Sequence, residues 1–300
     1  MKNHTLYLRL FIILASVFLG FLISNMILEI KYRFDREAGI RKSFEPRSEV
    51  DKVKLAKIKV ANEMGIPFDL RTQTQFLEDE GASNLRIAST ICSNKFIKKN
   101  KYWKKSYVPL GGIPNVKTVL GNENGYFATY FSDRYGFNNP DQVWDYYQNS
   151  KTLDILLLGA SYEQGFAVRR HDSYSGQFEK SGFSVANLAC AANGPLTSLA
   201  SLREYGPRLK FMVLVYVFSD IEHLSFLEKE MKSPVLTRYL ENENFTQNLV
   251  NRITETENDL RNYFRVLYTS HLEKYKEKEK LAYLSKEKAK ELADRAILES

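Results

Sequence analysis

The sequence predicts an α/β fold built on a parallel β-sheet, carried behind one N-terminal membrane-spanning helix. Three observations predict it. Three apolar runs of strand length lie between residues 153 and 219, a one-sided helical segment separates two of them, and an 18-residue run without charge stands near the N-terminus.

That run, "FIILASVFLGFLISNMIL" (11–28), has only Ser16, Ser24 and Asn25 as polar interruptions. As a helix it is about 27 Å long, close to the hydrocarbon thickness of a bilayer. It is apolar on every face, unlike a surface helix, and it runs into "EIKYRF", which offers no small-residue cleavage site. An uncleaved single-pass anchor over 7–29 is the expectation, with membrane lipid as its partner. Lys2 and Arg9 precede the span, while Lys31, Arg33, Arg36, Arg41 and Lys42 follow it. This count favours a cytoplasmic domain, but the rule weakens for long translocated domains.

Residues 30–104 are charged and mixed, and read as a partly helical stalk or linker. From 105 to 150 the chain turns rich in Gly, Asn, Pro and aromatics. There "KTVL" and "YFATYFS" flank "GNENG" as a hairpin would. The α/β core follows over 151–224. "LDILLLG" (153–159) is a continuous apolar run, the mark of a strand buried on both faces of a parallel sheet. "FSVANLA" (183–189) and "LKFMVLVYVFS" (209–219) are the second and third strands. "PLTSLASLREYG" (195–206), with leucines at 196, 199 and 202, is the helix between them. Strand, helix, strand, helix, strand implies parallel pairing with right-handed crossovers. Residues 251–300 read as a charged helical tail, its last thirty residues a solvated surface helix.

Composition narrows the function classes. With 44% hydrophobic and 13% aromatic residues, the 300-residue chain can bury a real core. The net charge of +7 is modest and spread out, so a nucleic-acid partner is not expected. No metal spacing and no phosphate loop is present, and no cofactor is expected. Cys92 and Cys190 each stand alone; a disulfide between them has no support in the sequence, and two buried free thiols are the expectation.

Ligands of parallel sheets bind at the carboxyl ends of the strands. Ser161, Ala192, Asn193 and Ser219 all fall there. Ser161 could instead cap the helix after it, but Gly159 and Gly165 on either side favour a site.

These residues resemble the SGNH (GDSL-like) hydrolases. "LLLGASYEQG" (156–165) is similar to that family's first block, Gly-Asp-Ser followed by Gly. "VANLACAANGP" (185–195) is similar to the second, and "VYVFSDIEHL" (215–224) stands where the third falls. The likeness spans roughly 105–250, and the segment 107–140 resembles the region before block one in membrane-anchored bacterial members. It implies a three-layer α/β/α sandwich, flavodoxin-like in plan. It also implies a serine esterase or acyltransferase acting on O-acyl groups of envelope glycans or lipids, with the domain outside the cytoplasm. Ser161 would be the nucleophile, and Ser161, Ala192 and Ser219 the oxyanion-hole positions. Gly159, Gly165, Asn193 and Asp220 would support them.

The chain departs from the pattern in several places. Ala160 replaces the block-one aspartate, Ala192 a glycine and Ser219 an asparagine, and no C-terminal Asp-x-x-His is present. Asp220-Ile221-Glu222-His223 has that form but falls in block three and reads as a chance match. Three strands are legible where the family has five. The expectation is therefore a degenerate or truncated relative without turnover. The alternatives are a non-catalytic membrane protein that binds glycan or protein, and a fragment with an exposed sheet edge.

The anchor makes a direct prediction. The full chain should sediment with membranes and resist carbonate extraction, and deletion of residues 1–30 should release it. Recovery of the intact chain as a soluble protein would refute the anchor.

Overall fold

The computed structural model describes residues 48–97, 103, 105–146, 148–218 and 220–298; the side chains of 48–55, 220–222, 278–279 and 281–298 lie outside that description. The expected anchor over 7–29 falls outside the described residues. Among those described, no helix is long and apolar enough to cross a membrane. The chain forms two compact units, Met1–Pro67 and Phe68–Ser300. In the first, α1 (Ser48–Glu63) lies in the first half of the expected stalk.

The second unit is α/β and holds two three-stranded sheets. It opens with α2 (Gln73–Asp79), started by a capping box in which Gln75 N–H donates to Thr72 Oγ1 and Thr72 N–H to Gln75 Oε1. Next come β1 (Ile87–Ser89) and the single-turn α3 (Asn94–Ile97). β1 pairs in parallel with β2 (Lys117–Gly121), and β2 pairs antiparallel with β3 (Ala128–Phe131) across the "GNENG" turn. The expected stalk therefore ends well before residue 104. Ile87 and Ala88 are fully buried and Ile91 nearly so. A three-residue strand is too short to leave a periodic signature, which is why the sequence did not reveal it.

The second sheet has the order β5-β4-β6 and is parallel throughout, as expected. Its central strand, β4 (Leu153–Leu158), is followed by α4 (Ser161–Gln164) and α5 (Tyr174–Lys180). β5 (Val185–Asn187) leads into α6 (Pro195–Tyr205), and β6 (Phe211–Tyr216) follows. Registers of Leu156 with Ala186 and with Leu214 hold the three together. Both faces of β4 are used. Ile155, Leu157 and Val185 meet Phe178 of α5, while Leu156 and Leu158 join Leu196, Ala200 and Tyr205 of α6 in the main core.

Helices α7 (Asp220–Glu230), α8 (Pro234–Glu241) and α9 (Ile253–Leu298) complete the chain. The expected solvated tail is only part of α9. Leu260, Tyr263, Phe264 and Tyr268 are buried in the main core, and the Tyr263 ring lies 4.9 Å from that of Phe96. Apolar residues three and four apart in "LRNYFRVLY" form the stripe that docks this part of the helix.

The expectation of free thiols is corrected. Cys92 and Cys190, 98 residues apart with Cα atoms 5.7 Å from each other, are disulfide-bonded. The bond ties the segment after β1 to the turn after β5, which no sequence spacing could reveal. A loop of this length removes much freedom from the unfolded chain, and the Cys92→Ser/Cys190→Ser double variant should lose about 2–5 kcal/mol in urea unfolding. An unchanged midpoint would show that the bond contributes nothing.

Candidate functional site

The serine turn is built by crowding. Gly159 has φ 153°, and a Cβ there would collide with the Glu163 side chain. That carboxylate is almost completely buried and accepts the Ala160 N–H at 2.8 Å, so the chain folds back tightly after β4. Ser161 is the first residue of α4 and not its cap, a position taken by Ala160. Gly165 closes the turn at φ 83°, where a Cβ would press on Ser173. Ser161 is half-buried beside the exposed Tyr162, at the carboxyl end of the central strand.

The turn after β5 stands next to it. Gln164 bridges the two: its Oε1 accepts the Ala191 N–H at 2.9 Å, and its Nε2 donates to Thr90 Oγ1 at 3.1 Å. Ala192 has φ 60°, a left-handed backbone that costs a non-glycine residue roughly 1–2 kcal/mol. Asn193 is fully buried and its Oδ1 accepts the Ser93 hydroxyl at 2.8 Å. The N-terminus of α6 is already occupied. The buried Glu230 carboxylate accepts Gly194 N–H at 2.7 Å, Leu196 N–H at 2.9 Å and the Thr197 hydroxyl. Ser219 lies outside the described residues, and Asp220 opens α7 with its side chain outside the description.

Two cavities flank the Ala191–Ala192 turn. One of about 230 Å³ is lined by Ala192, Asn94, Lys95, Phe226, Lys229 and Glu230. The other, about 340 Å³, has walls that include Ala191, Phe166, Leu120, Thr90, Ile91 and Cys92. The histidines are scattered. His171 is exposed, with Nε2 3.3 Å from Asp172. His271 is exposed on α9, and His4 lies outside the described residues. His223 is 3% exposed, packed among Tyr216, Phe218 and Phe226. Among the described residues no hydrogen bond joins the Ser161 hydroxyl to any of them, and no cluster of metal-ligating side chains occurs.

A polar network that sequence reasoning missed holds this arrangement. Asp133, fully buried, accepts four N–H groups: from the Tyr135 and Phe137 backbone (both 2.9 Å), Asn139 Nδ2 (2.9 Å) and Trp144 Nε1 (2.8 Å). Asn139 in turn brackets Asn187, accepting its N–H at 2.7 Å and donating to its carbonyl at 2.9 Å. Asn138 Nδ2 donates to Gln164 O at 2.8 Å, and Asn187 Nδ2 to Glu163 O at 2.5 Å. The backbone of the serine helix is thus gripped from two sides. The available signal was the density of Asp and Asn within "SDRYGFNNP", which reads equally well as an ordinary turn.

No family model, no curated protein and no solved structure matches the chain.

Burial pushes Asp133 up to about 6, against four donors that favour the ionised form. Because the folded value lies above the unfolded one, its contribution to stability is fullest below about pH 4 and falls as pH rises to about 6. Asp133→Asn turns an NH₂ toward one pair of donors and leaves them unpaired. The variant should unfold about 2–5 kcal/mol more easily and lack the wild-type slope between those pH values. Equal midpoints and equal pH profiles would remove Asp133 from this role.

Proposed function

We propose that the chain is a membrane-anchored relative of the SGNH hydrolases whose serine site binds O-acyl groups of envelope glycans or lipids and turns esters over weakly or not at all. The observation that carries this reading is a tight serine turn whose hydroxyl meets no histidine among the described residues. Ser161 heads a tight turn at the end of the central parallel strand, beside a left-handed Ala192 where the family has glycine. Helices on both faces of the β5-β4-β6 sheet support the finer assignment to a three-layer sandwich. The disulfide supports a domain outside the cytoplasm, since such bonds persist in oxidising compartments.

The chemistry follows from what surrounds the hydroxyl. A serine attacks a carbonyl only when a base takes its proton. His171 faces solvent beside Asp172, and His271 sits on the exposed side of α9. Without general-base help the expected loss is of order 10²–10⁴ in rate. A second reading rests on His223, buried near the start of the helix that follows β6. It would make Ser161 and His223 a catalytic pair.

A fluorophosphonate probe separates the two readings, because it reacts only with an activated serine. The full chain should remain unlabelled and should not turn over short-chain aryl esters above background. Strong labelling that disappears in both Ser161→Ala and His223→Ala would replace the binding reading with the catalytic one.

A further inference from the structure

The larger cavity beside the Ala191–Ala192 turn, about 340 Å³, lies between α2, α9 and the loop after β1, and Ser161 is not among its lining residues. Gln75 Nε2 donates to Tyr275 Oη at 2.6 Å and joins α2 to α9. Tyr263, Leu267 and His271, four residues apart along α9, turn one face of that helix into a wall. Leu77, Leu120, Phe166 and Leu267 make much of the lining apolar. The charged part has one sign. Lys95 and His271 are its basic side chains, both exposed, and no Asp or Glu lines the cavity among the described residues. Asn94 lines it as well, and its Oδ1 is buried with no hydrogen-bond partner among the described residues. Turned end for end, that amide would offer its N–H donors to an anion.

We propose that this cavity binds a medium-chain fatty-acid anion, with the chain against the leucines and Phe166 and the carboxylate toward Asn94, Lys95 and His271. The proposal is independent of the chemistry at Ser161. Size and composition both point to such a ligand. A cavity of about 150 Å³ encloses a benzene ring, so the larger one here has room for on the order of a dozen carbon atoms. Ligand pockets of this kind are mostly apolar, with a few polar groups that fix orientation. Apolar walls alone would accept any hydrocarbon, and the single sign of charge narrows the head to an anion. A cationic amphiphile would meet basic groups and no acid. Chain length sets affinity, because each methylene moved out of water strengthens binding by about fourfold.

Photolabelling tests this with the full chain in isolated membranes. The probe is decanoic acid carrying a diazirine near the chain end. Illumination should attach it to peptides that contain Leu77, Leu120 or Leu267. Decanoate should displace it roughly tenfold better than octanoate, and far better than decyltrimethylammonium, which has the same chain and the opposite charge. The Lys95→Glu/His271→Glu double variant should weaken labelling roughly tenfold at an unchanged melting temperature, because both side chains are exposed. Leu267→Trp, which fills the cavity, should abolish labelling, and Ser161→Ala should leave it unchanged. An unlabelled chain, label confined to other segments, or equal displacement by the anionic and cationic amphiphiles would each overturn the proposal. So would labelling that survives both Leu267→Trp and the charge reversal, or that is lost in Ser161→Ala.

Discussion

A single buried carboxylate holds the second unit in register with itself. Asp133 has no counter-charge among its hydrogen-bond partners; it is neutralised by four N–H dipoles, two from the turn that contains it and two from side chains farther along. An ionised group in an apolar interior is tolerable only when so fully satisfied. Each of its partners has a second role. The bonds to Tyr135 and Phe137 shape the turn at Gly136, where a Cβ would collide with the Gly112 backbone. Trp144 packs on Tyr135 in the main core, and Asn139 closes the edge of β5. The constraint passes from one carboxylate to the aromatic region, and from there to the parallel sheet.

The same logic recurs at two other buried carboxylates. Glu230 satisfies the N-terminus of α6, and Glu204 accepts the Tyr239 hydroxyl at 2.5 Å, Leu249 N–H at 2.8 Å and the Gln247 N–H. Irregular backbone cannot satisfy its own donors as helices and strands do. In this protein buried acids collect them, and Glu230 and Glu204 each join segments more than thirty residues apart. The serine turn is held in this way as well, through Glu163, Gln164 and Asn187, with the disulfide as a covalent brace on the neighbouring turn. A turn so bound presents its first residue in one geometry.

The sheet is unequal from side to side. β4 and β5 are sealed by helices and by Asn139, whereas the apolar residues of β6 remain in view. Side-chain amides can imitate a strand at one position, but they cannot cover a face.

The sequence alone determined the α/β class, the three parallel strands to within three residues, the helix over 195–205, the aromatic hairpin and the strand-end position of Ser161. All of these rest on local signals: apolar runs of one period or another, and glycines that punctuate them. What it left open depended on partners far away in the chain. β1 was too short to show a period, and the docked half of α9 was hidden by the lysines beyond it. The Cys92–Cys190 bond and the Asp133, Glu204 and Glu230 networks join residues whose types are common and whose spacing carries no code. Only the folded chain decides which carboxylate meets which backbone, because burial and hydrogen bonding are properties of neighbours in space.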